Sequence, residues 1–257
     1  MPRTVVCFKW VPDDGELRVD RATRAVDASA ARRSISAYDR NAIEAARRLA
    51  VDVGGELVGL TVGGAGTKAA LKDALARGVD TAVHVVTTAD ADGHVTAQLL
   101  AAQVRATQDV GLVVCGEGAA DTYAHEVGPR VAALLGWPVV TNAREATVHD
   151  GTLLAVRVVG TDLETVRCDL PAVVTVLPEM CPAPIPGLKA VIAAGRRPAQ
   201  QVDAADLDLP DDALRRRTEV SALTAFAAER SHLVLADGSA AEKVAALVAG
   251  LSQKGVL

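Results

Sequence analysis

The chain has 257 residues, half of them hydrophobic, and a formal net charge of −5 with 27 basic and 32 acidic residues interspersed. That apolar content builds a full core, which excludes a disordered chain, and no stripe of Lys and Arg stands ready to neutralise a run of phosphates. No apolar run reaches the ~18 residues of a membrane span, and the opening MPRTVVCFKW lacks the features of a secretory leader, so a cytoplasmic protein without membrane insertion or nucleic-acid partner is expected.

Apolar β-branched runs bounded by Gly, Asp and Pro alternate with stretches of helical spacing. RTVVCFKWV (3–11) reads as a strand, and 38–54 as a helix with Asp39 as N-cap and Gly54 and Gly55 as its stop. ELVGLTVGG (56–64) is the next strand, 67–78 a helix ending at Gly78, 81–88 a third strand and 94–108 a third helix. VGLVVCG (110–116) is apolar enough to be central, and AHEVGPRVAALLG (124–136) is the helix after it. Buried strands joined by helices predict a doubly wound, Rossmann-like α/β fold with a parallel sheet covered on both faces. Residues 141–177 predict an antiparallel meander with turns at Asp150-Gly151 and Gly160 to Asp162, its last strand PAVVTVL rejoining the main sheet. A proline-punctuated loop and short helix (178–198) precede a polar stretch and a helical segment ending at 255. The division expected is an α/β nucleotide-binding domain over 1–198 and a C-terminal arm over 199–257.

In such a sheet ligands bind at the carboxyl ends of the strands, where helix N-termini point free N–H groups outward. Residues 7–13 (CFKWVPD), 62–67 (VGGAGT) and 115–128 (CGEGAADTYAHEVG) have that placement, with Gly63, Gly64, Gly66, Gly116 and Gly118 permitting close backbone approach. An adenine nucleotide is the natural ligand, although neither a P-loop nor a G-x-G-x-x-G fingerprint is present. Lys9 suits a phosphate or an exposed strand end; Asp121 suits a helix cap or a ribose hydroxyl, with the cap favoured. His125, read as part of the helix, has no second His or Cys at i+4, so no metal site is expected there. Cys7, Cys115, Cys168 and Cys181 lie far apart with no CxxC pair, which suits reduced thiols. There is no nucleophile elbow and no acid and base pair, so no catalytic residue is assigned. With two Trp, two Tyr and two Phe, the chain offers few rings for a planar cofactor.

Read together, CFKWVPD, SISAYDRNAIEAARRL, VGGAG, LARGVD, LVVCGEGAADTYAHEVGPRVAALLGWP, DLPAVVTVLPEMCPAPIPGLKAVIAAGRRP and ADL resemble, in order and spacing, the beta subunit of electron transfer flavoproteins. The resemblance runs to about Leu207, and CGEGAADTYAHEVG is most similar to the Fix-type and carnitine-metabolism branch. It implies a heterodimer with an alpha subunit that holds most of the FAD, with AMP or a second FAD in the beta subunit's own cleft. It implies electron donors of the acyl-CoA dehydrogenase type, a quinone-oxidoreductase-type acceptor, and an arm that contacts the alpha subunit. The positions that would hold the nucleotide are Cys7, Ser36, Ala37, Tyr38, Asp39 and Val62, and then Gly116, Glu117, Gly118, Ala119, Ala120, Asp121, Thr122, Tyr123, Ala124, His125, Glu126 and Val127. Leu188 in the loop over about 178–195 would anchor redox partners, and Arg157 in the meander matches an arginine placed near the flavin, followed here by Val158 instead of glutamate. The alternative, a stand-alone adenine-nucleotide module of the universal-stress-protein type, would bind ATP without a partner.

Overall fold

The structure, a computed structural model, describes residues 2–87, 91–226 and 232–257. The chain divides into two compact units, residues 1–18 with 27–223, and residues 19–26 with 224–257.

The first unit is built on nine strands, β1 (Arg3–Cys7), β2 (Leu57–Gly63), β3 (Thr81–Val86), β4 (Val110–Gly116), β5 (Val139–His149), β6 (Thr152–Val159), β7 (Asp162–Asp169), β8 (Ala172–Val176) and β9 (Ala199–Asp203). They form one sheet in the order β7-β6-β5-β8-β4-β1-β2-β3-β9. Every pair from β5 to β9 across the middle is parallel; only β5-β6 and β6-β7 are antiparallel. The helices are α1 (Ala37–Val53), α2 (Lys68–Ala76), α3 (Gly93–Ala106), α4 (Val127–Leu135) and the short α5 (Leu188–Ala194). Successive strand residues face opposite ways, so Val6 and Val114 join α1 and α2 in one core while Val5 and Val113 join α3 and α4 in the other. This is the doubly wound arrangement that the alternating apolar runs predict.

Several local details differ from the pattern-based reading, each for a visible reason. β1 stops at Cys7 because the chain leaves the sheet there, and Trp10–Pro12 pairs instead with Arg33–Ile35. The N-cap of α1 is Ser36, with Asp39 inside the first turn. α4 begins at Val127, because Tyr123 and His125 hold φ of 46° and 54°, a left-handed backbone that no α-helix accepts. The meander forms as read: Asp150 and Gly151, at φ 49° and 74°, make the hairpin turn between β5 and β6. Residues beyond 198 still serve the sheet, since β9 pairs with β3. Buried His84 ties that edge together, donating from Nε2 to the Gly63 carbonyl at 3.0 Å while Nδ1 accepts from Gln201 at 3.2 Å.

In the second unit, Ala25 bridges Thr224, and α6 (Ala240–Gln253) starts with a reciprocal capping box between Ser239 and Glu242. No helix among the described residues is long and apolar enough to cross a membrane.

Candidate functional site

Strand order reverses between β1 and β4: from β1 the chain moves to β2 on one side, whereas β4 lies on the other. The carboxyl ends of these two strands therefore diverge and open a cleft of about 950 Å³ within the first unit. That volume lies at the upper end of the range for small-molecule and cofactor sites.

The floor is sulfur and aliphatic carbon. Cys7 and Cys115 end adjacent strands and are both buried, as expected of reduced thiols. The hydrogen bond that the Cys7 thiol donates to its neighbour Cys115, together with burial, pushes that thiol well above its usual value and favours the protonated form. Beside them stands Asp39, whose Oδ2 accepts from the Lys9 N–H at 2.8 Å. Burial pushes its carboxyl up to about 7 despite the Lys9 and Gly116 N–H groups and the Lys9 charge.

One wall is the loop from β4 to α4. Lys9 Nζ reaches Asp121 at 2.7 Å, so Asp121 makes an ion pair with the end of β1 and does not cap α4. Behind the loop, the Ser36 hydroxyl accepts from the Ala120 N–H at 3.2 Å, and the Tyr38 ring lies 5.1 Å from that of Tyr123. Tyr123 donates to Glu117 at 2.9 Å and meets His125 edge-on at 4.1 Å. These contacts hold two left-handed residues in place, a costly backbone that survives only where its surroundings enforce it.

The facing wall is the turn Gly64–Thr67 ahead of α2 and the start of α3. Asp92 caps α3 by accepting from Val95 N–H at 2.9 Å through Oδ1. Its Oδ2 accepts from the N–H groups of Arg217 (2.8 Å) and Thr218 (2.9 Å) and from the Thr218 hydroxyl (3.1 Å). Asp92 thus straps residues 216–220 to the rim of the cleft. Burial raises its carboxyl, but these donors together outweigh it and hold the group well below the usual carboxylate range.

Of the residues singled out from sequence, Cys7, Asp39, Val62, Gly116–Ala119, Asp121, Thr122 and Ala124–Val127 line the cleft. Ser36, Tyr38, Ala120 and Tyr123 stand behind it as supports of the loop, and Ala37 lines a separate small pocket. Arg157 and Leu188 lie elsewhere: Arg157 pairs with Glu164 across β6 and β7 at 2.6 Å, and Leu188, 77% exposed, opens α5. Asp92 and residues 216–220 were missed. Asp92-Gly93 ahead of an apolar helix was a legible cap, but nothing local ties it to a strap more than a hundred residues away.

The glycines separate into two kinds. A Cβ on Gly116 would come within 2.6 Å of Asp39 Oδ1, and one on Gly118 within 2.7 Å of the Tyr123 ring, so both serve internal packing. A Cβ on Gly66 meets nothing within 4 Å, and one on Gly64 only the Thr87 carbonyl at 3.9 Å, so these two would project into open space. An adenine nucleotide fits this cleft: an apolar floor for a base, and a glycine turn leading into a helix for an anion. An isoalloxazine is less well served, because Phe8 and Trp10 are the only Phe, Tyr or Trp rings among the lining residues.

Among the described residues no cluster of three or more His, Cys, Asp or Glu is arranged to hold a metal ion. Residues 23–207 match the family model of the electron transfer flavoprotein domain, a span that takes in every strand of the sheet except β1 and every wall of the cleft except the ends of β1 and the strap. The chain belongs to the electron transfer flavoprotein family.

Proposed function

We propose that the chain is the beta subunit of a two-subunit electron transfer flavoprotein, of the Fix-type or carnitine-metabolism branch, and that its cleft holds AMP or a second FAD. The observation that carries this reading is a switch-point cleft with an open glycine rim, in a chain of this family. The N–H groups of Gly64, Ala65 and Gly66 would take the phosphate, that of Thr67 being spent on the Gly64 carbonyl, and Val62 and the 116–127 loop would enclose the base and ribose. Asp39 and Lys9 would set the charge beneath them. Ser36, Tyr38 and Tyr123 would act by holding that loop in shape.

Flavin, when bound, supplies the electron chemistry. The chain's own part is to orient the nucleotide, exclude water and cover one side of a flavin held chiefly by the alpha subunit. Arg157, fixed by Glu164, offers a positioned cation toward such a partner. The arm over 199–257 is assigned to alpha-subunit contact, a role favoured by the uncovered apolar face of α6, where Val244, Leu247 and Val248 are 60%, 52% and 47% exposed. Exposed Leu188 is assigned to docking of acyl-CoA dehydrogenase-type donors, with a quinone-oxidoreductase-type protein as acceptor.

The test is co-expression with an alpha subunit, followed by release and counting of FAD and AMP per heterodimer. A yellow complex with one FAD and one AMP, or with two FAD, is the expected result. A colourless chain that stays alone and binds ATP sinks the reading.

A further inference from the structure

A second, smaller pocket of about 170 Å³ lies between the first turn of α1, the end of α2 and residues 183–185, and it shares no lining residue with the cleft. Its walls are Ala37, Arg40 and Asn41 from α1, Arg77 from the end of α2, and Ala183, Pro184 and Ile185. The Asn41 side-chain oxygen accepts from the Ala183 N–H at 2.8 Å and so fastens the loop to α1. Ile185 is 94% exposed, which leaves the mouth open.

The charge in this pocket is unbalanced. Arg40 Nε is shut off from solvent and has no hydrogen-bond partner among the described residues, and the Arg40 guanidinium forms no ion pair with them. The nearby acids are committed elsewhere. Glu44, one turn along α1, accepts from Arg47 through Oε2 at 2.9 Å and from Arg47 and Arg48 through Oε1 at 2.9 Å. Asp73 is taken by Arg77 Nε at 3.0 Å. The Arg77 side chain is only 13% exposed, and burial, joined by the charge of Arg40, pulls its guanidinium below the ordinary arginine value against the opposing pull of Asp73. Asp73 thus serves Arg77 alone, and Arg40 is left beside it with a buried, charge-bearing N–H that has nothing to donate to among the described residues.

We propose that this pocket is an oxyanion site, in which a carboxylate or phosphate group is gripped between Arg40 and Arg77. A guanidinium presents a planar fork that matches two oxygens of such a group. The volume exceeds that of several waters, at ~30 Å³ each, and so admits a small free anion or the acidic side chain of a docked protein.

The test follows the ¹⁵Nε–Hε signals of Arg40 and Arg77 in the full chain while inorganic phosphate, acetate and a glutamate hexapeptide are titrated at constant ionic strength. Saturable shifts of both signals are expected, with affinity falling roughly tenfold in Arg40→Gln, as for loss of one charge-assisted pair. Arg40→Lys, which keeps the charge and loses the fork, falls between. Saturation by phosphate or acetate identifies a free-ion site, and saturation by the peptide alone identifies a protein carboxylate; either supports the proposal. No saturable shift with any of the three overturns it, as does equal affinity in a folded Arg40→Gln chain. Should that variant fail to fold, the wild-type titration and Arg77→Lys still decide.

Discussion

Asp39 is the residue at which burial and hydrogen bonding oppose each other most directly. Its carboxyl sits at about 7 when folded, against ~3.9 in an unfolded chain, so the folded state holds the proton more tightly. The stability this contributes is complete below pH ~4 and is lost as pH rises to about 7, where the buried charge must form. In urea titrations between pH 4.5 and 8, Asp39→Asn should lack this slope, the gap from wild type widening by at most ~4 kcal/mol and then levelling. Parallel curves across that range would contradict the account. Two glycines make a second contrast at this scale. Gly116→Ala drives a Cβ against Asp39 Oδ1 and Gly118 O, at 2.6 and 3.2 Å, and should cost about 1–3 kcal/mol of stability. Gly66→Ala meets only open space and should leave the melting temperature nearly unchanged while weakening the proposed AMP binding, measured by calorimetry.

The strap over 216–220 shows how one side chain can organise an element with no regular structure of its own. Asp92 serves both as N-cap of α3 and as acceptor for three donors from Arg217 and Thr218. Asp92→Ala should therefore lose about 1–3 kcal/mol and make the chain sensitive to trypsin after Arg215, Arg216 or Arg217. Unchanged cleavage kinetics would mean that the strap is held by something else. Because the Asp92 carboxyl is depressed in the folded chain, its contribution is present above pH ~4 and fades as pH falls toward the folded value. The β4–α4 loop follows the same logic from the other side, with Ser36, Tyr38 and Lys9 holding a backbone that Tyr123 and His125 would not adopt unaided.

For the whole molecule, the feature that most clearly asks for a partner is α6. Its capping box lets the helix start without outside help, yet Val244 and, one turn on, Leu247 and Val248 remain about half exposed or more. Leu247→Glu should leave the stability of the isolated chain within about 0.5 kcal/mol of wild type. On the proposed heterodimer, the same change should weaken co-purification with the alpha subunit by an order of magnitude or more. If pull-down yields are unaffected, α6 is not the contact.

The sequence by itself determined the doubly wound sheet, the meander and the three strand ends that meet at the cleft, because each depends on a period or a turn residue that neighbours in the chain can express. VGLVVCG is buried on both faces, as its composition requires, and Asp150-Gly151 turns the hairpin as that dipeptide does. Only the tertiary structure decided which side chains face the cleft and which stand behind it. Ser36 and Tyr38 are supports, Asp121 is an ion-pair partner of Lys9, Asp92 is a staple, and Arg40 is a cation left without an acid. Each of these roles rests on a contact between residues far apart along the chain, or on the burial of a charge. Such contacts cross elements whose juxtaposition no local pattern encodes, so the physics that sets them exists only once the sheet has closed around its two cores.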